Sequence, residues 1–166
     1  MPFGIKDDTQ LPDYTRLPSI SPGSEVVVLL TEAKESKGTK GHYAIFEGKI
    51  SEVLKGDHAK GETVKVLMTR LDDSRRIIRN KDGEVNYAQI EVMEFLKAAN
   101  GGPFPKENLA ASVAAFCANI AGVAVKVVSR LEEDDDGKSF PKRTFVTVPG
   151  QTAEALAAQR KLLETL

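Results

Sequence analysis

Glu25-Val-Val-Val-Leu-Leu-Thr31, the basic turn Lys37-Gly-Thr-Lys-Gly41 and His42-Tyr-Ala-Ile-Phe-Glu-Gly-Lys-Ile-Ser-Glu-Val-Leu54 decide the fold class. The first run is apolar and β-branched, long enough for a strand and too short for a typical helix. Two glycines in a five-residue turn join antiparallel strands, so the second run predicts the returning arm of a hairpin. Gly48 sits inside that arm where a bulge or a sharp coil of the strand would fit. Lys55-Gly-Asp-His-Ala-Lys-Gly61 is a further turn, and Glu62 to Arg70 predicts a third strand with Val64, Val66 and Met68 on one face. Three strands in a row with short connections form a meander.

Residues 1–23 carry Pro2, Pro12, Pro18 and Pro22, which block regular helices and ladders, and predict an extended arm. After the third strand, 71–84 is polar and charged and reads as a loop or small hairpin. Val85 to Ala99 approximates a helical stripe through Ile90, Met93, Phe95, Leu96 and Ala99, stopped by Asn100-Gly-Gly102. A second helix is predicted over Leu109 to Ile120, with Asn108 as N-cap and Gly122 as stop. Val123 to Leu131 and Ser139 to Val148 predict a fourth and a fifth strand. Glu132-Glu-Asp-Asp-Asp-Gly-Lys138 between them is a solvated hairpin tip, because five like charges stay out of a core. Pro149-Gly150 ends this domain, taken as 24–150, and 151–166 predicts a C-terminal helix with Leu156, Leu162, Leu163 and Leu166.

The chain has 166 residues, 41% hydrophobic and 28% charged, which fits one compact domain with short tails. With 23 Lys plus Arg against 24 Asp plus Glu the net charge is -1, so a globally basic protein is excluded and any anion binding must be local. A single cysteine, Cys117, cannot form an intramolecular disulfide and points to a reducing cytoplasm. The first ten residues lack a signal-peptide pattern, and no stretch approaches the about 18 apolar residues of a membrane helix, so no membrane association is expected.

The reading is therefore mainly β with a helical insertion: a five-stranded Greek-key barrel like the OB-fold, with another α+β sheet as the fallback. Its Pro-rich start ending in Leu17-Pro-Ser-Ile-Ser-Pro-Gly23, its Ser36-Lys-Gly-Thr-Lys-Gly-His-Tyr43 turn and its Ile120-Ala-Gly-Val-Ala-Val125 and Phe145-Val-Thr-Val148 runs resemble the OB-type single-stranded DNA-binding proteins of bacteriophages. The resemblance implies a sequence-tolerant protein that coats single-stranded DNA in replication or recombination, in the host cytoplasm. Bacterial proteins of this function usually end in a disordered acidic tail. Here a helix stands in that place, so self-association or recruitment of a replication or recombination partner would use the C-terminal helix, or the acidic loop.

Single strands are held by cations along the phosphates and aromatic rings under the bases. The candidates are Lys37, Lys40, Lys49, Arg70, the cluster Arg75, Arg76 and Arg79, and Lys142 and Arg143 for phosphate, with Tyr43, Phe46, Phe140 and Phe145 for stacking. Phe46 alternates with Ala44, Gly48 and Ile50, so core packing competes with stacking there, whereas Tyr43 falls on the opposite face. Phe140 and Phe145 have opposite strand parity, so in regular geometry only one of them points inward.

Enzymatic chemistry finds little to work with. His42 and His58 lie in or beside turns without partners at metal-ligand spacing and read as surface residues. Cys117 shares a helix face with Val113 and Ile120 and reads as a small core residue. The acidic pairs Asp72-Asp73 and Asp134 to Asp136 lack a calcium-loop pattern. No cofactor and no catalytic residue is expected. The competing reading is a structural or adaptor protein, such as a virion component, using its termini for self-association.

Overall fold

The computed structural model describes residues 17–38, 41–71 and 90–166. In chain order the elements are β1 (Glu25–Gly38), β2 (Gly41–Lys55), β3 (Thr63–Arg70), α1 (Ile90–Asn100), α2 (Leu109–Ala118), β4 (Ala124–Glu133), β5 (Ser139–Thr147) and α3 (Ala153–Leu163). The strands form one antiparallel sheet in the order β3-β2-β1-β4-β5, so the fold is mainly β with three helices. The sheet is open. Among the described residues no ladder joins its edge strands β3 and β5. Nor is any described helix long and apolar enough to cross a membrane.

β1 is the axis of the sheet and runs well past the expected Thr31, to Gly38. Its polar second half, Glu32 to Lys37, is held by pairing with Glu47 back to His42, so ladder bonds and cross-strand partners override weak local strand propensity. Thr31 is skipped between the pairs Leu30↔Gly48 and Glu32↔Glu47. Val66 is likewise skipped between Phe46↔Leu67 and Glu47↔Lys65. Each skipped residue shifts the side-chain alternation by one place. The expectation that Val64, Val66 and Met68 share a face therefore fails at the bulge: Leu67 takes the core position opposite Phe46, and Met68 pairs with Ile45 on the other face.

The inner face of the sheet carries Val26, Val28, Leu30, Phe46, Ile50, Val64, Val125 and Val127, all completely buried. α1 lies over it along β5. Its Phe95 ring sits 4.8 Å from Phe46 of β2 and 5.2 Å from Phe145 of β5, in tilted and edge-on contacts. One side chain thus ties together strands that are three places apart in the sheet, which requires the sheet to coil strongly. Arg143 of β5 spans the remaining gap: its Nη1 donates to the Val66 carbonyl of β3 at 2.9 Å, and its Nη2 donates to Glu91 of α1 at 2.7 Å.

α2 closes one end of the core with Val113 and Cys117, followed by Ile120. Asn108 is the N-cap residue, as expected, but it caps in an unusual way: it adopts a left-handed conformation with φ 59°, its side chain makes no capping bond, and its carbonyl accepts from the Ser112 N–H. Burial pushes the Cys117 thiol up from its ordinary 9.0 to about 12. Because the folded value lies above the unfolded one, the stability held by this neutral thiol is fully present below about pH 9 and is lost as pH rises toward 12. Native Cys117 should resist a disulfide reagent at pH 8 and react at once in denaturant. Above pH 9 the thermal midpoint of the parent should fall more steeply than that of Cys117→Ala, and parallel curves would show an accessible thiol.

α3 folds back on the outer face. Thr152 caps it, accepting from the Ala155 N–H at 3.1 Å. Leu156 packs against the core, Arg160 donates to the Ala121 carbonyl, and Lys49 of β2 donates to the Leu166 carbonyl at 3.0 Å. At the other terminus the Pro18 carbonyl accepts from the Lys65 N–H, Ser19 bridges β3 in parallel, and Ile20 is buried. His58 is no simple surface histidine. Its Nε2 accepts from the Ser21 N–H at 3.0 Å, so its Nδ1 carries the proton that it donates to Glu62 at 2.5 Å.

Candidate nucleic-acid interface

Strand parity divides the sequence candidates between the two faces of the sheet. Phe46 is 0% exposed inside the aromatic cluster and cannot stack on a base, a correction that follows from its pairing with Leu67 on the inner face. Phe145, 8% exposed, is the inward member of its pair, so it too leaves the list. Arg143 is occupied between Val66 and Glu91, and Lys49 is half-buried on the Leu166 carbonyl, so neither is presented to a backbone. Lys37 pairs with His42 on the inner-face parity, away from Tyr43. Lys40, Arg75, Arg76 and Arg79 lie outside the described residues.

What remains gathers in two places, both on the outer face. At the tip of the β1–β2 hairpin, Tyr43 is half-buried and stands directly across from Arg70 on β3 and Ser36 on β1. Its ring lies against Gly38, where an added Cβ would come within 3.0 Å of the Tyr43 Cε2 atom. The Arg70 guanidinium lies beside Gly41. Lys34, two places along on the same face, is held at 2.7 Å by the buried Glu47. Its charge is therefore largely compensated.

The second place is the β4–β5 hairpin. Phe140 is 40% exposed on the outer face, and Lys142 follows at the same parity with Arg130 directly across from it on β4. Lys142 is 3.8 Å from Glu132, a long and solvent-screened pairing that leaves its ammonium available. Toward the middle of the sheet the outer face continues through Lys126, which is 2.7 Å from Glu25. The Lys126 ammonium, by hydrogen bond and charge, holds the Glu25 carboxyl below its usual range, with Lys55 and Arg130 adding to the same effect. An open cavity of about 210 Å³ lies between Glu25, Lys55, Ser129 and Arg130.

The chain matches no protein-family model and no curated protein. Glu25 pairs with both Lys55 and Val128, so β4 residues beyond Val128 extend past the start of β1, while Tyr43 pairs eleven residues further on at Ser36. The two clusters thus stand at opposite ends of the sheet on one face, an exposed aromatic and two cations at one end and a half-buried tyrosine with Arg70 at the other. Sequence reading missed Arg130 and Lys126. Their parity opposite Val125 and Val127 is a legible sign that they face outward, but an apolar strand dominated by valine hides isolated cations. Among the described residues no group of three His, Cys, Asp or Glu side chains is placed to hold a metal ion.

Proposed function

We propose that the protein is a non-enzymatic, sequence-tolerant single-stranded DNA-binding protein of bacteriophage type, built on an OB-fold-like barrel and acting in replication or recombination. Its order β3-β2-β1-β4-β5 supports the fold part of this reading, with edge strands linked through Arg143 as in a partly open barrel. OB-folds bind oligonucleotides on the face of their second and third strands and with the loops joining strands one to two and four to five. The two outer-face clusters stand at those two loops. The observation that carries the proposal is Phe140: a large aromatic ring exposed on the face away from the core, beside Lys142 and across from the Arg130 and Glu132 strand. A ring with this much free surface lies outside the core, and every base offers a π-face to it.

The mechanism is passive. Bases stack on Phe140 and on Tyr43, and Arg130, Lys142 and Arg70 neutralise phosphates, so affinity falls with salt at a logarithmic slope of about 0.7 per phosphate neutralised. Fluorescence anisotropy of labelled oligo-dT, with a duplex control, tests this at low and moderate salt. Salt-sensitive binding to the single strand alone is expected, and no binding even at low salt would refute the reading. Phe140→Ala should weaken binding by about 1 to 3 kcal/mol. Arg130→Glu with Lys142→Glu should lower the salt slope by about 1.4, twice the single-phosphate value. Both variants should unfold at the parent's midpoint, because all three side chains are exposed.

A further inference from the structure

The β4–β5 hairpin has a second face that the proposed nucleic-acid site does not use. Leu131 is 62% exposed, the most exposed of the large apolar side chains described. It pairs with Pro141, next to the pair Glu133↔Ser139, on the parity opposite to Phe140. The hairpin tip thus presents an apolar pair followed at once by the acidic run to Asp136.

A receptor of matching character lies on the helical side of the molecule. Val92, Phe95, Leu96 and Ala99 turn α1 inward, and its opposite side forms, with the α1–α2 connection, a groove of about 320 Å³. Ile90, Met93, Phe104 and Leu109 give this groove an apolar floor, and Lys97 and Lys106 stand on it as cations. Glu94 is the one acid among its described lining residues. The described lining of the groove comes from α1, the α1–α2 connection and Leu109, with no residue of the β4–β5 hairpin, which leaves it open to the hairpin of a second copy.

We propose that the β4–β5 hairpin tip of one copy docks in the α1 groove of a second copy, with Leu131 and Pro141 on the apolar floor and Glu133 to Asp136 against Lys97 and Lys106. Tip and groove are different patches of the chain, so two copies can exchange tips in a closed pair, and a contact that is not returned is heterologous and propagates head to tail. Confined to one hairpin tip and one groove, the contact is of the weak, transient kind, and its charge pairs strengthen it at low salt. Phe140 stays on the free face of the hairpin, and a row of docked copies keeps its nucleic-acid faces open.

Sedimentation velocity of the full chain without nucleic acid, from low to high micromolar concentration, tests the proposal whatever becomes of the DNA-binding reading. The weight-average sedimentation coefficient should rise with concentration and less so at moderate salt. Leu131→Ser, and separately Lys97→Glu with Lys106→Glu, should each weaken association by about tenfold or more. Adding Glu133→Lys and Asp135→Lys to the double lysine variant should restore it, because the charges are exchanged across the contact. Asp134 is left alone, since its Oδ1 accepts from the Asp136 and Lys138 N–H groups and holds the turn. A monomer at every concentration overturns the proposal, and so does association that the lysine reversals leave unchanged.

Discussion

Phe95→Ala should cost about 3 to 5 kcal/mol, which for a domain of ordinary stability removes a fifth or more of the total. The reason is connectivity as well as area. Phe95 is the point where α1, β2 and β5 meet, through ring contacts at 4.8 Å with Phe46 and 5.2 Å with Phe145. Truncation forfeits the buried ring, leaves a cavity between strands that no ladder joins, and removes two aromatic contacts worth about 0.5 to 1.5 kcal/mol each. Urea unfolding followed by circular dichroism gives the measurement. Phe95→Leu, which fills more of the space, should recover part of the loss. A change below about 1 kcal/mol for the alanine variant would mean that α1 does not hold the curled sheet together.

Gly48→Ala should be nearly as damaging although it adds a single methyl group. The Gly48 backbone does not have a positive φ, so conformational strain is not the cause. A Cβ there would stand 2.3 Å from Val28 Cγ1 and 2.8 Å from the Leu29 carbonyl oxygen, both on the neighbouring strand β1. The valine rotamer can be moved, but the backbone oxygen belongs to the β1 ladder. Overpacking of this kind costs about 1 to 3 kcal/mol, and here the backbone contact puts it at the upper end. Adding Val28→Ala should recover only part, since Leu29 stays in place. Gly102→Ala, where a Cβ meets nothing within 4 Å, is the silent control. Equal midpoints for Gly48→Ala and Gly102→Ala would show that β1 and β2 are not pressed together at this point.

These two sites also separate what could be read in advance from what could not. Gly48 stood out in the sequence as a place for a bulge or coil of the strand, and the extra residues Thr31 of β1 and Val66 of β3 both fall where those strands pair with Glu47, next to Gly48. Phe95 was legible only as one member of a helical stripe, because nothing local distinguishes the residue that bridges two distant strands. Among the site candidates, the alternation along β5 limited the inward position to Phe140 or Phe145, and the contact with Phe95 settled which. Tyr43 fell on the outer face as its parity with Phe46 required. Arg143 and Lys49 looked like free cations because their partners, Val66, Glu91 and Leu166, are far away in sequence.

The element order, the mainly-β class, the solvated acidic tip and the core place of Cys117 were legible in the sequence. These follow from patterns within a dozen residues: β-branched runs, glycine turns, helical periodicity and the cost of burying like charges. The tertiary structure alone decided where β1 ends, which face Met68 takes beyond the Val66 bulge, and which cations are already spent on carbonyls and carboxylates of other elements. Each of these depends on a partner brought close by folding, and a one-residue bulge is enough to exchange the faces of everything that follows it.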